Sequence, residues 1–259
     1  MIKVVDCHTH LGRFNVSGSD VLGWLDVGPE NLLKYVEKCN LSKVWLLSHP
    51  PIEGLYDLSG SYEALELAKS YPEIRPFCQV DNTETLAKYV DRGCVGIGEI
   101  KVPLPINDPK LLTVFRAAKD YGLPVVVHTT DKHCYELSSA MLGEALQTQA
   151  NIVLHGWGVW NRLGDGSLVQ LMKDFPNLYV DISANSGFKS LGKSVEYSRF
   201  VLEWYSSRVL YGTDFPMLST YSGSQFGVNQ DHFNLLNRLS LSQDALHAIL
   251  HGNAERLVK

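Results

Sequence analysis

The sequence predicts an α/β chain folded as a (β/α)₈ barrel, on three observations. Eight apolar runs of strand length recur along it, segments with helical spacing of apolar residues lie between them, and the runs are apolar throughout rather than alternating. Unbroken strands such as VVVH at 125–128 and NIVLH at 151–155 imply burial on both faces, as in a parallel sheet covered by helices. Eight such units suggest a closed ring. The competitor, a doubly wound open sheet, favours a glycine-rich phosphate loop after the first strand, where this chain has His8-Thr9-His10.

In chain order, strands are expected at 2–7, 44–48, 74–80, 95–102, 124–128, 151–155, 178–181 and 208–212. Helices are expected between them at 29–39, 62–71, 83–92, 111–121, 138–149 and 168–175. The fourth of these has the clearest ends. Asp108-Pro109 suits an N-cap with proline at the first helical position, and Gly122-Leu123-Pro124 suits a left-handed cap followed by a chain break. The longest irregular stretches, 11–28, 103–108 and 216–230, read as loops at strand ends. No internal repeat or linker divides the chain, so one domain over residues 1–259 is expected.

Composition narrows the class. Hydrophobic residues at 45% and charged residues at 20% are ordinary for a packed globular protein. A formal charge of −5 lacks the basic excess that drives binding to polynucleotides, so a small-molecule substrate is expected before nucleic acid. No apolar stretch is long enough for a bilayer, and the start MIKVVDCHTH lacks the layout of a secretory leader. The five cysteines (Cys7, Cys39, Cys78, Cys94 and Cys134) are scattered with no paired spacing, which fits reduced thiols. The expectation is a cytoplasmic protein with no membrane partner, and assembly into a homo-oligomer is left open.

The informative polar residues fall at or just beyond the C-terminal ends of expected strands, the face where such barrels keep their active sites. His8 and His10, two residues apart on extended chain, share one side and can converge on a cation, although a solvated strand end would also accommodate them. Glu99 in GIGEIK places a carboxylate late in a strand, where it needs a metal or a cation such as Lys101, on the same face, to compensate it. His128 and His155 each end an apolar run. A lone histidine there is usually a satisfied core residue, but two on consecutive strands would stand side by side at a barrel mouth. Asp214 in LYGTDFP ends the last run, where ring closure returns it beside the first strand; an N-cap or Asx turn is its alternative. These four histidines and two carboxylates suffice for two divalent ions, one held by His8, His10 and Asp214, the other by His128 and His155, with Glu99 between them. Zinc suits that nitrogen-rich set best, with Mn²⁺, Fe²⁺ or Mg²⁺ as alternatives.

DCHTHLG, GIGEI, VVVH, IVLHG, YGTDFPM and HGNAERLV together resemble the amidohydrolase superfamily, in its amidohydrolase-related branch, over nearly the whole chain. The glutamate on the fourth strand resembles that of TatD-type hydrolases. The resemblance implies a TIM barrel with His8 and His10 on a first metal, Glu99 bridging, His128 and His155 on a second, and Asp214 as metal ligand and proton shuttle. Many relatives bridge their metals through a carboxylated lysine, so Lys101 is a second candidate for the bridge, or a contact to substrate. Among loop residues, Arg13, His133 and Trp157 are candidates for substrate contact, with His49, Asp81, Trp160 and Asn185 behind them. The expected activity is hydrolysis of a small ester, lactone, amide or phosphoester by metal-activated water. The alternatives are a single-metal decarboxylase of an aromatic or unsaturated acid, a TatD-like nuclease, and a barrel that has lost turnover and only binds.

Overall fold

Eight parallel strands form one sheet in the order β1 (Val5–Thr9), β4 (Lys43–Leu47), β5 (Ile74–Cys78), β6 (Gly96–Ile100), β7 (Val125–Val127), β8 (Ile152–Leu154), β9 (Leu178–Asp181) and β10 (Val209–Leu210). The computed structural model describes residues 3–15, 24–49, 59–102, 104–128, 139–155, 167–218 and 227–258. The ring closes through backbone hydrogen bonds from Cys7 N–H to Tyr211 O at 2.9 Å, Asp214 N–H to His8 O at 2.9 Å and His10 N–H to Phe215 O at 2.8 Å. With no free edge at that seam, the residues after β10 are set against β1 as a barrel requires.

Helices α1 (Pro29–Lys38), α2 (Ser59–Ser70), α3 (Thr83–Val90), α4 (Pro109–Tyr121), α5 (Ser139–Leu146) and α6 (Ser167–Asp174) separate the strands at the expected places. In α4 the Asp108 side chain accepts from Lys110 N–H at 2.9 Å and Gly122 takes the left-handed conformation at φ 71°, so both end signals act as read. Two apolar layers result. The inner one takes Val5, Cys7, Trp45, Leu47, Phe77, Val126, Val153, Tyr179 and Leu210 from the strands. The outer one seats the opposite strand faces against the helices, for example Val44, Ile97, Val125, Ile152 and Val180 against Leu32, Leu65, Leu86, Phe115 and Leu142.

Some of the architecture departs from expectation. The stretch 11–28 contains an antiparallel pair, β2 (Gly12–Asn15) and β3 (Trp24–Val27). Its four-residue strands GRFN and WLDV are too short and too mixed in polarity to show a period. Helices α7 (Ala184–Lys193) and α8 (Val195–Trp204) fill a region where no helix is expected. The α7 sequence ANSGFKSLGK is poor in helix formers, and its buried Phe188 and Leu191 supply the packing that overrides propensity. Gly187 is needed there for space, because a Cβ would lie 2.4 Å from Ile182 O. Helix α9 (Gly227–Leu239) begins inside the expected loop 216–230.

The chain ends in α10 (Gln243–His247), a π turn (Ala248–Gly252) and α11 (Asn253–Leu257). Buried Asn253 donates to Ser206 O at 2.6 Å and Val209 O at 2.7 Å, while Ala254, Leu257 and Val258 join the inner layer. Lys43, the first residue of β4, lies 2.7 Å from Glu255. The segment HGNAERLV therefore packs beneath the N-terminal ends of the strands, opposite the face that carries the histidines. No helix among the described residues is long and apolar enough to cross a membrane.

Candidate metal centre

The site is built where two strands break their own alternation. Val5 and Cys7 face the inner layer, so strict period-two geometry would turn His8 outward. The β1–β4 register shifts between Asp6 and Thr9, and His8 and His10 both enter the barrel mouth while Thr9 turns away to donate to Trp45 O at 2.9 Å. A matching shift lies in β6 between Ile97 and Ile100. There Gly98 takes φ 126° and passes so close to β7 that a Cβ would sit 2.5 Å from Val126 O, so only glycine fits before Glu99.

These irregularities bring six side chains together. Glu99, 1% exposed, has Oε2 at 3.7 Å from His8 Nε2 and 3.6 Å from His10 Nε2, and Oε1 against His128 Nδ1 and 4.0 Å from His155 Nε2. Asp214 Oδ1 is 3.6 Å from His8 Nε2 and 3.2 Å from His10 Nε2, and its Oδ2 is 3.9 Å from His155 Nε2. Three overlapping triads have ligand atoms within 4.8 Å of one another: His8, His10 and Glu99; Glu99, His128 and His155; His8, His155 and Asp214. Asp214 holds φ 62°, a conformation aspartate tolerates better than most residues. Lys101 Nζ lies 2.9 Å from Glu99 Oε2.

The ring protons can be assigned from their partners. His10 Nδ1 lies 3.1 Å from Leu47 O, a carbonyl that can only accept, so Nδ1 carries the proton and Nε2 faces the centre. His8 Nδ1 is 3.0 Å from Asp181 Oδ2, which leaves its Nε2 facing the same way. Among the described residues, His8 Nε2, His10 Nε2 and Glu99 Oε2 are buried side-chain atoms without a well-directed hydrogen bond. Two bare ring nitrogens gathered with a carboxylate oxygen whose near cation is Lys101 would be costly in a plain core, and a divalent cation satisfies all three. The donor set therefore fits a metal.

Electrostatics agree with a ligand cluster. Burial opposes charge on Glu99, but His128, Lys101, His155 and His8 hold its carboxyl well below the usual range. Burial also opposes charge on Asp214, yet His10, 3.2 Å away, and the neighbouring His155 and His8 bring it down to about 2. Burial lowers His10, and pushes His128 down to about 4 against the pull of Glu99, which suits neutral imidazole ligands. In the metal-free site burial would depress His8 too, but Asp181 and Glu99 outweigh it and raise it to about 10.

Asp181 is the site residue that sequence reasoning passed over. It is fully buried at the end of β9, touches His8 directly, and accepts the Ser183 hydroxyl, whose Oγ lies 2.7 Å from His155 Nδ1. The available signal was its place at the end of the run LYVD, the position His128 and His155 hold on their own strands. Of the loop candidates, buried His49 stands with its ring 5.6 Å from that of His10. Arg13 pairs with Asp26 across the β2–β3 hairpin at 3.4 Å, Asp81 accepts from Asn82 at 2.9 Å, and Asn185 donates to Leu218 O at 3.1 Å. His133, Trp157 and Trp160 lie outside the described residues.

Comparison with known proteins places this geometry in a family. The family model described as amidohydrolase matches residues 64–259, a stretch holding Glu99, His128, His155, Asp181 and Asp214. Among solved structures, an amidohydrolase from Burkholderia multivorans with bound zinc is similar at TM-score 0.69 and 13% identity, covering 98% of each chain. A probable 2-pyrone-4,6-dicarboxylic acid hydrolase from Acinetobacter baumannii gives 0.68 at 14%, covering 99% of each chain. The 2,6-dihydroxybenzoate decarboxylase from Rhizobium gives 0.66 at 16%, covering 99% of this chain and 98% of that one. A search of curated proteins found no match. At such identities the solved structures establish the barrel alone, and it is the family match over most of the length that decides: the chain belongs to the amidohydrolase family.

Proposed function

We propose that the protein is a metal-dependent hydrolase, its barrel acting as one domain over residues 1–259, with two divalent ions, zinc foremost, in its mouth. The observation that carries this reading is the place of Glu99, whose two oxygens face different histidine pairs: Oε2 toward His8 and His10, Oε1 toward His128 and His155. One carboxylate so placed can serve two ions. His8, His10 and Asp214 would hold the first, His128 and His155 the second. When bound, such ions lower the pKa of water and polarise a carbonyl or phosphoryl oxygen.

The chain's own groups supply the rest. Asp214 is ionised at neutral pH and, with its side chain 17% exposed, it is the most exposed of the six cluster members. It can take the proton from the attacking water as the oxygen adds to the electrophilic centre, and return it to the leaving oxygen or nitrogen as that bond breaks. Lys101, one-quarter exposed beside Glu99, can meet an electron-rich group of the substrate. Small esters, lactones, amides and phosphoesters fit this chemistry. Screening these classes with the zinc-loaded protein tests it: hydrolysis that Asp214→Asn removes is expected, and activity equal in the two proteins would overturn the reading.

A second reading has its own observation. The 2.9 Å approach of Lys101 to Glu99 would neutralise the carboxylate without a second ion. A single-metal site, acting in decarboxylation as the name of the Rhizobium neighbour indicates for that protein, would then be enough. Release of carbon dioxide from aromatic acids, with one ion per chain, is the outcome that would favour it.

A further inference from the structure

We infer that Asp181 is a positioning residue shared by the two halves of the centre, a single carboxylate that fixes the ring protons of both His8 and His155 and so aims both Nε2 atoms inward. This rests on the metal-site reading above for its purpose, though its geometry stands without it. Asp181 Oδ2 lies 3.0 Å from His8 Nδ1, and its Oδ1 takes the Ser183 backbone N–H at 3.0 Å together with the Ser183 hydroxyl. Because that hydroxyl spends its proton on the carboxylate, its oxygen accepts from His155 Nδ1 at 2.7 Å. His155 Nε2 then looks toward Glu99 and Asp214, as His8 Nε2 does. The two rings stand 4.0 Å apart between centroids, so one buried anion orders two imidazoles that belong to different ions. His10 is held independently, by Leu47 O.

This wiring predicts an asymmetry between two substitutions. In Asp181→Asn the two Ser183 donors keep the amide oxygen on their side, so the amino group meets His8 Nδ1 and forces that nitrogen to give up its proton. In Ser183→Ala the carboxylate still holds His8, while His155 exchanges its 2.7 Å contact with the hydroxyl for the longer approach of its Nδ1 to Asp181 Oδ1 at 3.5 Å.

The test is the imidazole region of the spectrum of metal-free, ¹⁵N-histidine-labelled protein, followed by zinc titration. Wild type is expected to show ring N–H signals of His8 and His155 protected from solvent exchange. Ser183→Ala should weaken protection at His155 alone, and Asp181→Asn should lose the His8 signal, with zinc affinity falling about 10–100-fold in each. Both protected signals persisting in Asp181→Asn, or both vanishing in Ser183→Ala, would overturn the inference. Should Asp181→Asn not fold, Ser183→Ala tests the His155 arm of the wiring, and wild-type protection at His155 in that variant would overturn the inference. The expected N–H pattern in a wild type that takes up no zinc would uphold the wiring and refute the metal reading instead.

Discussion

Asp214 and His8 sit in the same cluster but are given different duties. Asp214 reaches three histidine nitrogens and is partly exposed, whereas His8 is wholly enclosed with its Nε2 turned inward. Replacing Asp214 by Asn should therefore cut turnover by about 10²–10⁴-fold while leaving much of the metal bound, and His8→Ala should chiefly lower occupancy. Steady-state rates alongside elemental analysis of the two variants separate the roles, and full activity in Asp214→Asn would remove the proton shuttle from the account. At this scale the sequence was informative because the proposed histidine and aspartate ligands end apolar runs and Glu99 interrupts one, so their positions could be read from the hydrophobic pattern. Asp181 was not legible in that way: a carboxylate closing LYVD reads like any strand-end cap, and only the fold shows His8 and Ser183 converging on it.

At the scale of the element, the two strands that carry His8, His10 and Glu99 are ones whose regularity fails, β1 between Asp6 and Thr9 and β6 between Ile97 and Ile100. Gly98→Ala should destabilise the fold by about 2–4 kcal/mol, combining backbone strain at a positive φ with a collision against Val126 O, and denaturant melts would show it. A wild-type melting curve in that variant would mean β6 does not need its tight passage. The seam between β1 and β10 has its own staple. Buried Asp6 accepts from His8 N–H, Thr213 N–H and Oγ, and Tyr35 OH, and burial pushes its carboxyl up to about 6 despite those bonds. A folded pKa above the unfolded 3.8 means that ionisation opposes folding by about 3 kcal/mol above pH 6, a cost that fades as pH falls and is gone below 3.8. The metal-free wild type should accordingly gain thermal stability relative to Asp6→Asn as pH falls from 7 to 4, and a constant difference would contradict it. Strand bounds were readable to within a few residues because apolar runs persist, and α4 was readable at both ends because Asp108 and Gly122 act locally. The hairpin was not, because its four-residue strands are too short to show a period, and α7 was not, because the packing of Phe188 and Leu191 overrides its propensity.

Over the whole molecule, the barrel divides labour between its two ends. Below, the C-terminal helix closes the strands with Asn253 and its apolar neighbours. Above, the ends of β1, β6, β7, β8 and β10 bring their histidines and carboxylates to one point. That division explains why the fold class could be read from periodicity while the substrate could not: the strands and the ligands repeat a pattern, but specificity belongs to the loops between them. Whether Glu99 holds two ions together is tested most directly by elemental analysis of metal per chain, in wild type and in Glu99→Ala. About two zinc-like ions in the wild type falling to about one in the variant is the predicted result. A single ion that is unchanged by the substitution would contradict the bridge and bring the decarboxylase reading forward.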